Sequence, residues 1–112
     1  MAEPYLGQLG DLIDELKLGE VGRSLECRHF FGGAALYVEG RICASLTPVG
    51  LALKLPPTPR EAMLADGRGR ALRHFPRGKV KKEYVVLSEA VAADLPTVRE
   101  LLETSFRYVQ PE

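Results

Sequence analysis

The residues of this 112-residue chain best equipped for metal chemistry are Cys27, His29, Cys43 and His74. Thiolate and imidazole together make the Cys2His2 set of structural zinc. Cys27 and His29, two apart, share one face of a strand. Their partners, however, lie scattered along the chain and lack the C-x2–4-C or H-x3–5-H spacing of structural zinc sites. Whether Cys43 joins that face depends on the register of the next hairpin. A two-residue turn at Glu39-Gly40 pairs Val38 with Arg41 and sets Cys43 beside Leu36. A shift of one residue instead aligns Leu36, Val38, Ile42, Ala44 and Leu46 and turns Cys43 away. The sequence leaves both registers open. Buried cysteine acting as a small hydrophobe is the commoner state, so no metal, cofactor or disulfide is expected.

Catalytic patterns are equally thin. There is no G-x-S-x-G, and Arg28 adjoins Cys27 only across the two faces of a strand. Asp14 and Glu15 belong to a solvated helix surface. Gly67-Arg68-Gly69 does not continue into G-x-G-x-x-G, and Gly78-Lys79 is followed by Val80 rather than a hydroxyl residue. The chain is therefore read as a non-enzyme.

Charge carries more information. Fifteen basic residues balance fifteen acidic ones, but unevenly: residues 1–59 carry −2, residues 60–82 carry +6 and residues 83–112 carry −4. Arg68, Arg70, Arg73, Arg77, Lys79, Lys81 and Lys82 surround His74 and Phe75, a set that offers phosphate contacts and one stacking platform. The plainer reading of the same charges is a solvated loop opposite acidic helices.

These residues need elements to position them. Residues 3–18 read as a helix, since Leu6, Leu9, Ile13 and Leu16 recur at helical spacing, with Gly19 placed as its left-handed cap. From Ser24 the period falls to two: Leu25, Cys27, His29 and Phe31 alternate with Ser24, Glu26, Arg28 and Phe30. Gly32-Gly33 permits a turn or bulge. Residues 35–38 and 41–46 read as a hairpin around Glu39-Gly40, and 51–55 as a strand with leucine at every second position. Thr58-Pro59-Arg60-Glu61 has the form of a capping box opening a short helix over 59–65 that ends near Gly67. Gly67-Arg68-Gly69-Arg70 reads as a mobile loop, 72–75 and 81–87 as closing strands, and Ser88 as the cap of a turn over 89–93. Val98, Leu101, Leu102, Ser105, Phe106 and Val109 make the best amphipathic helix, opened by Asp94-Leu95-Pro96.

Helix, four strands, short helix, two strands, helix is the order of an α+β fold. The expectation is a single domain over residues 1–112, with a central antiparallel sheet of five or six strands packed by the terminal helices. Two cysteines are too few for a disulfide scaffold, and the 46% hydrophobic content opposes disorder. No apolar run approaches the ~20 residues of a membrane span. The start lacks the pattern of a signal peptide, and the absence of asparagine excludes N-glycosylation. A cytoplasmic protein without a membrane partner is expected.

The run Phe30-Phe31-Gly32-Gly33-Ala34-Ala35-Leu36-Tyr37-Val38-Glu39-Gly40-Arg41-Ile42-Cys43-Ala44 resembles the hallmark of the TfoX/Sxy N-terminal domain family, approximately M-F-G-G-x-G-L-Y-x-D/E-G before an apolar strand. Leu51-Ala52-Leu53-Lys54-Leu55 is similar to the family's next strand. Gly78-Lys79-Val80-Lys81-Lys82-Glu83-Tyr84 looks like its later G-K-x-M-K-x-Y. Phe30 and Val80 stand where methionine is usual, and Ala35 where a third glycine is common. The similarity spans residues 5–107. It implies an α+β domain with an antiparallel sheet and supplies no catalytic residues. Phe31, Gly32, Gly33, Leu36, Tyr37 and Gly40 are then structural: Gly32 and Gly33 for the turn, Gly40 for the hairpin, Tyr37 packed beside it. The chain resembles the stand-alone members, which lack the helical second domain of the longer competence regulators. The first function expected is a small regulatory or interaction module, linked to competence or transcription only by analogy, working through an unknown protein partner or a homodimer. The alternative is direct, weak nucleic-acid binding through residues 68–82.

Overall fold

The period-two alternation that starts at Leu25 builds the first of six strands. In a computed structural model, which describes residues 3–18, 24–30, 32–73 and 79–110, the elements follow as α1 (Glu3–Glu15), β1 (Leu25–Phe30), β2 (Gly33–Val38), β3 (Arg41–Thr47), β4 (Gly50–Lys54), α2 (Pro57–Asp66), β5 (Gly69–Leu72), β6 (Lys81–Leu87), α3 (Glu89–Ala92) and α4 (Leu95–Val109). The strands form one sheet in the order β1-β2-β3-β4-β6-β5, antiparallel at every pairing. This is the expected α+β architecture, with six strands. Phe31, Arg77, His74, Phe75 and Gly19 lie outside the described residues.

The β2–β3 hairpin combines both registers that the sequence allows. Glu39 (φ 50) and Gly40 (φ 81) both take the left-handed conformation that a two-residue hairpin turn requires. Glutamate is unusual there, and it is held on both sides: its N–H donates to the Ser24 carbonyl at 2.8 Å, and its Oε1 accepts from the Ser24 N–H at 2.8 Å. Val38 then pairs with Arg41 and Tyr37 with Ile42, but Leu36 pairs with Ala44. Cys43 is the extra residue of a β-bulge, which turns it and Ala44 alike into the core. The Cys43 thiol donates to the Leu36 carbonyl at 3.4 Å. Cys27 packs against the same core, so the two thiols share a face, and both are free.

The helices lie on that face. Leu9 and Leu16 of the N-terminal segment, Met63 of α2, and Val98, Leu102 and Phe106 of α4 form one cluster with Leu36, Leu53 and Val85 of the sheet. Arg99 also donates to the Leu16 carbonyl, tying α4 to the end of α1. Ser105, fully buried, donates to the Cys43 carbonyl at 3.0 Å. That bond satisfies a carbonyl close to the disturbed ladder. Ser105→Ala leaves it unpaired and is expected to lower unfolding free energy by about 1–2 kcal/mol in urea titration; an unchanged midpoint would remove the bond's role.

Three local expectations are corrected. Gly69 and Arg70, read as loop, are the start of β5. A Cβ at Gly69 would stand 2.2 Å from the Val85 side chain, so this glycine serves close strand approach rather than mobility. α2 starts at Pro57 with Pro56 as its cap residue and no side-chain cap bond, so the Thr58–Glu61 capping box does not form. Prolines suit this first turn because its N–H groups have no intrahelical partner anyway. The helix does end on Gly67 in the left-handed conformation (φ 82). α1 ends at Glu15 rather than at residue 18, and Lys17 beyond it takes the left-handed conformation (φ 57). Ser88 caps α3 as expected, accepting from the Val91 N–H at 3.2 Å.

Candidate functional site

Antiparallel sheets with one helical layer ordinarily alternate apolar and polar residues. The central strands here do not. Ala34, Leu36 and Val38 of β2 meet the helices, and Ala35 between them is also fully buried; the same holds for Ser45 of β3 and Ala52 of β4. Among the described residues no helix joins the cluster on this second face, which consists of Ala52, Leu72 and Val86 with Val49 and Tyr84 beside them. Small side chains occupy its centre: Ala35, Ser45 and Ala52.

Tyr84, beside that cluster, also lines a groove of about 440 Å³ with Phe30, Tyr37, Ile42, Lys54, Lys81, Lys82 and Glu83. Tyr37 pairs with Ile42, and Lys54 pairs with Tyr84. The four come from β2, β3, β4 and β6 and line the groove together. Each ring carries a cation: the Arg28 guanidinium carbon lies 4.5 Å from the Tyr37 centroid and the Lys54 Nζ 5.6 Å from that of Tyr84. Arg28 also pairs with Glu26 at 2.9 Å, an exposed contact that orients the guanidinium more than it stabilises the fold. Arg70, from β5, donates to the Val49 carbonyl at 2.7 Å. Of the acids near the groove, Glu83 accepts from the Tyr108 hydroxyl at 2.9 Å. Burial pushes the Tyr84 phenol up to about 12, so it stays protonated and retains its donor at neutral pH.

The thiols are poor nucleophiles here. Burial pushes Cys43 up to about 12, and burial likewise raises Cys27, with Asp14 and Glu26 adding to the effect. Nucleophilicity needs thiolate. Cys43 is therefore expected to resist iodoacetamide at pH 8 in the native state and to react within minutes in urea; rapid native labelling would contradict its placement. An unfolded chain releases this proton near 9.0 and the folded one near 12, so stability falls as pH rises through that interval. Among the described residues no group of three or more His, Cys, Asp or Glu side chains comes together to hold a metal ion.

The sequence profile of the TfoX N-terminal domain family matches residues 17–108. The chain belongs to this family. Among curated proteins none matches the sequence significantly.

In this TfoX N-terminal domain, the family-motif residues divide between the two faces. Leu36 is in the core and Tyr37 is in the groove. Gly40 takes the hairpin turn, and Gly32 (φ 75) takes a second left-handed one. Gly33 does not: it is strand, pressed against the end of β3. The basic segment is also divided. Lys81 and Lys82 line the groove and Arg70 lies along the same face. Arg68 is bonded to Asp66 at 2.8 Å, while Arg73 and Lys79 are exposed and are not among the lining residues. Arg28, Phe30, Ile42, Lys54 and Tyr84 were not among the candidate residues. Part of their signal is in the sequence: Tyr37 is out of phase with Leu36, and Tyr84 with Val85 and Leu87, which meet the helices, whereas Ile42 is in phase with Ala44 and Leu46 and changes face only through the bulge at Cys43.

Among the described residues no helix is long and apolar enough to cross a membrane.

Proposed function

We propose that this TfoX N-terminal domain is a non-catalytic binding module of the cytoplasm, acting in regulation by holding a partner on the helix-free face of its sheet. The observation that carries the reading is a groove of aromatic and basic side chains on the sheet face that, among the described residues, no helix covers. Such a lining has the composition of a recognition surface rather than of a solvated one. The regulatory role and the link to competence or transcription follow the longer family members by analogy.

The test compares affinity capture by the wild type, by Lys54→Glu/Lys82→Glu on the groove, and by Glu89→Lys/Glu100→Lys on the helical side, each with and without nuclease. Loss of captured material for the groove variant alone is the expected result. Equal capture by the wild type and the groove variant, or loss confined to the helical variant, would move the binding surface elsewhere. Basic residues on the groove rim favour nucleic acid over protein as the partner, which leads to the next inference.

A further inference from the structure

Taking the helix-free face as the binding surface, we propose that it holds a single-stranded nucleic acid laid across the strands from Tyr37 to Tyr84. Tyr37 on β2 and Tyr84 on β6 line the same groove, with β3 and β4 between them. Three strand steps of ~4.8 Å set their backbones about 14 Å apart. A single nucleotide has one base and reaches one ring. A strand has a base for each ring, displacing Arg28 and Lys54 from the ring faces they cover, and phosphates for those two cations and for Lys81 and Lys82. Aromatic platforms set in a basic groove are the means by which proteins hold single strands without reading their sequence. A duplex keeps its bases stacked on one another and offers this shallow groove only phosphates.

Charge also selects against the other simple occupant, a second copy meeting face to face. Each copy would bring Lys54, Lys81 and Lys82 against a groove lined by the same three lysines and one carboxylate, Glu83. Arg28 and Glu26 already offset each other. An anionic strand relieves that crowding of cations.

The test is fluorescence anisotropy with a labelled oligothymidylate of about ten nucleotides, titrated with the full chain at low salt. Binding is expected, stronger for the single strand than for a duplex of equal length. Three neutralised phosphates predict a roughly twentyfold loss between 50 and 200 mM salt. Tyr37→Ala and Tyr84→Ala should each weaken binding about tenfold, the loss of one stacked base, whereas Tyr37→Phe and Tyr84→Phe keep the ring and the affinity. Lys82→Glu, at an exposed position, tests the phosphate contacts without disturbing packing and should also weaken binding, with a shallower salt dependence. Preference for the duplex, or no binding at low salt, overturns the proposal. If oligonucleotide binding is absent while protein capture depends on Lys54 and Lys82, the binding-module reading stands and nucleic acid is removed as its partner. Binding unchanged by every groove variant removes both.

Discussion

Gly33→Ala is expected to lower unfolding free energy by about 3 kcal/mol, while Gly32→Ala, one residue earlier, costs about 1 kcal/mol. The two adjacent glycines are needed for different reasons. Gly32 sits at φ +75, with open space where a Cβ would go; a side chain there meets only the strain of the left-handed region. Gly33 has no such conformation, but its Cβ would stand 2.3 Å from the Leu46 carbonyl oxygen and 2.8 Å from the Thr47 Cα. Both are backbone atoms, so no rotamer change relieves the contact. β2 must part from β3 where Ala34 pairs with Leu46, which removes ladder bonds as well as packing. Urea unfolding of the two variants side by side checks this. Equal shifts of midpoint would mean that β3 yields at its end and that Gly33 is only a turn residue.

Phe106→Ala is the second large effect, expected at about 3–5 kcal/mol. Phe106 is 1% exposed and is the largest of the fully buried side chains. It extends from α4 into the cluster that includes Leu36, Cys43 and Leu53. Truncation leaves a cavity that a six-stranded sheet cannot close without bending. A domain of this size has about 5–15 kcal/mol in total, so the variant sits near the edge of folding at room temperature. Phe106→Leu retains most of the volume and should cost less than half as much. Leu64→Ala, on the exposed side of α2 at 41% exposure, is expected within about 0.5 kcal/mol of wild type. Calorimetry of the three variants ranks them, and a Phe106→Ala cost near that of Leu64→Ala would contradict the core described.

Much of the fold is legible in the residues because hydrophobic period is a local property. The leucines of β4 and the Val98–Val109 stripe of α4 state both the element and the face it buries. Register is less local. The choice at Cys43 is settled by a bulge, whose position depends on a turn that accepts Glu39 at positive φ and on Ser105 reaching across from α4. β5 was displaced for a similar reason. Gly69 looks like loop chemistry in isolation and becomes strand chemistry only beside Val85.

The candidate groove was the least legible part. A charge count along the chain collects Arg68 to Lys82, but sheet order collects residues by strand. It brings Lys54 next to Tyr84 and Arg28 over Tyr37, and leaves Arg68 with Asp66 on the α2–β5 turn. Of the three lysines that line the groove, Lys81 and Lys82 belong to the basic segment, while Lys54 comes from β4, where the sequence carries net negative charge over residues 1–59.

The most direct test of the central claim, that the helix-free face is the binding surface, is a map of backbone amide shifts by nuclear magnetic resonance during titration with the single-stranded oligonucleotide. The account predicts that the largest changes fall at Arg28, Tyr37, Ile42, Lys54, Lys82 and Tyr84, while α1 and α4 remain unperturbed. Changes concentrated on α1 or α4, or no change at saturating oligonucleotide, would contradict it.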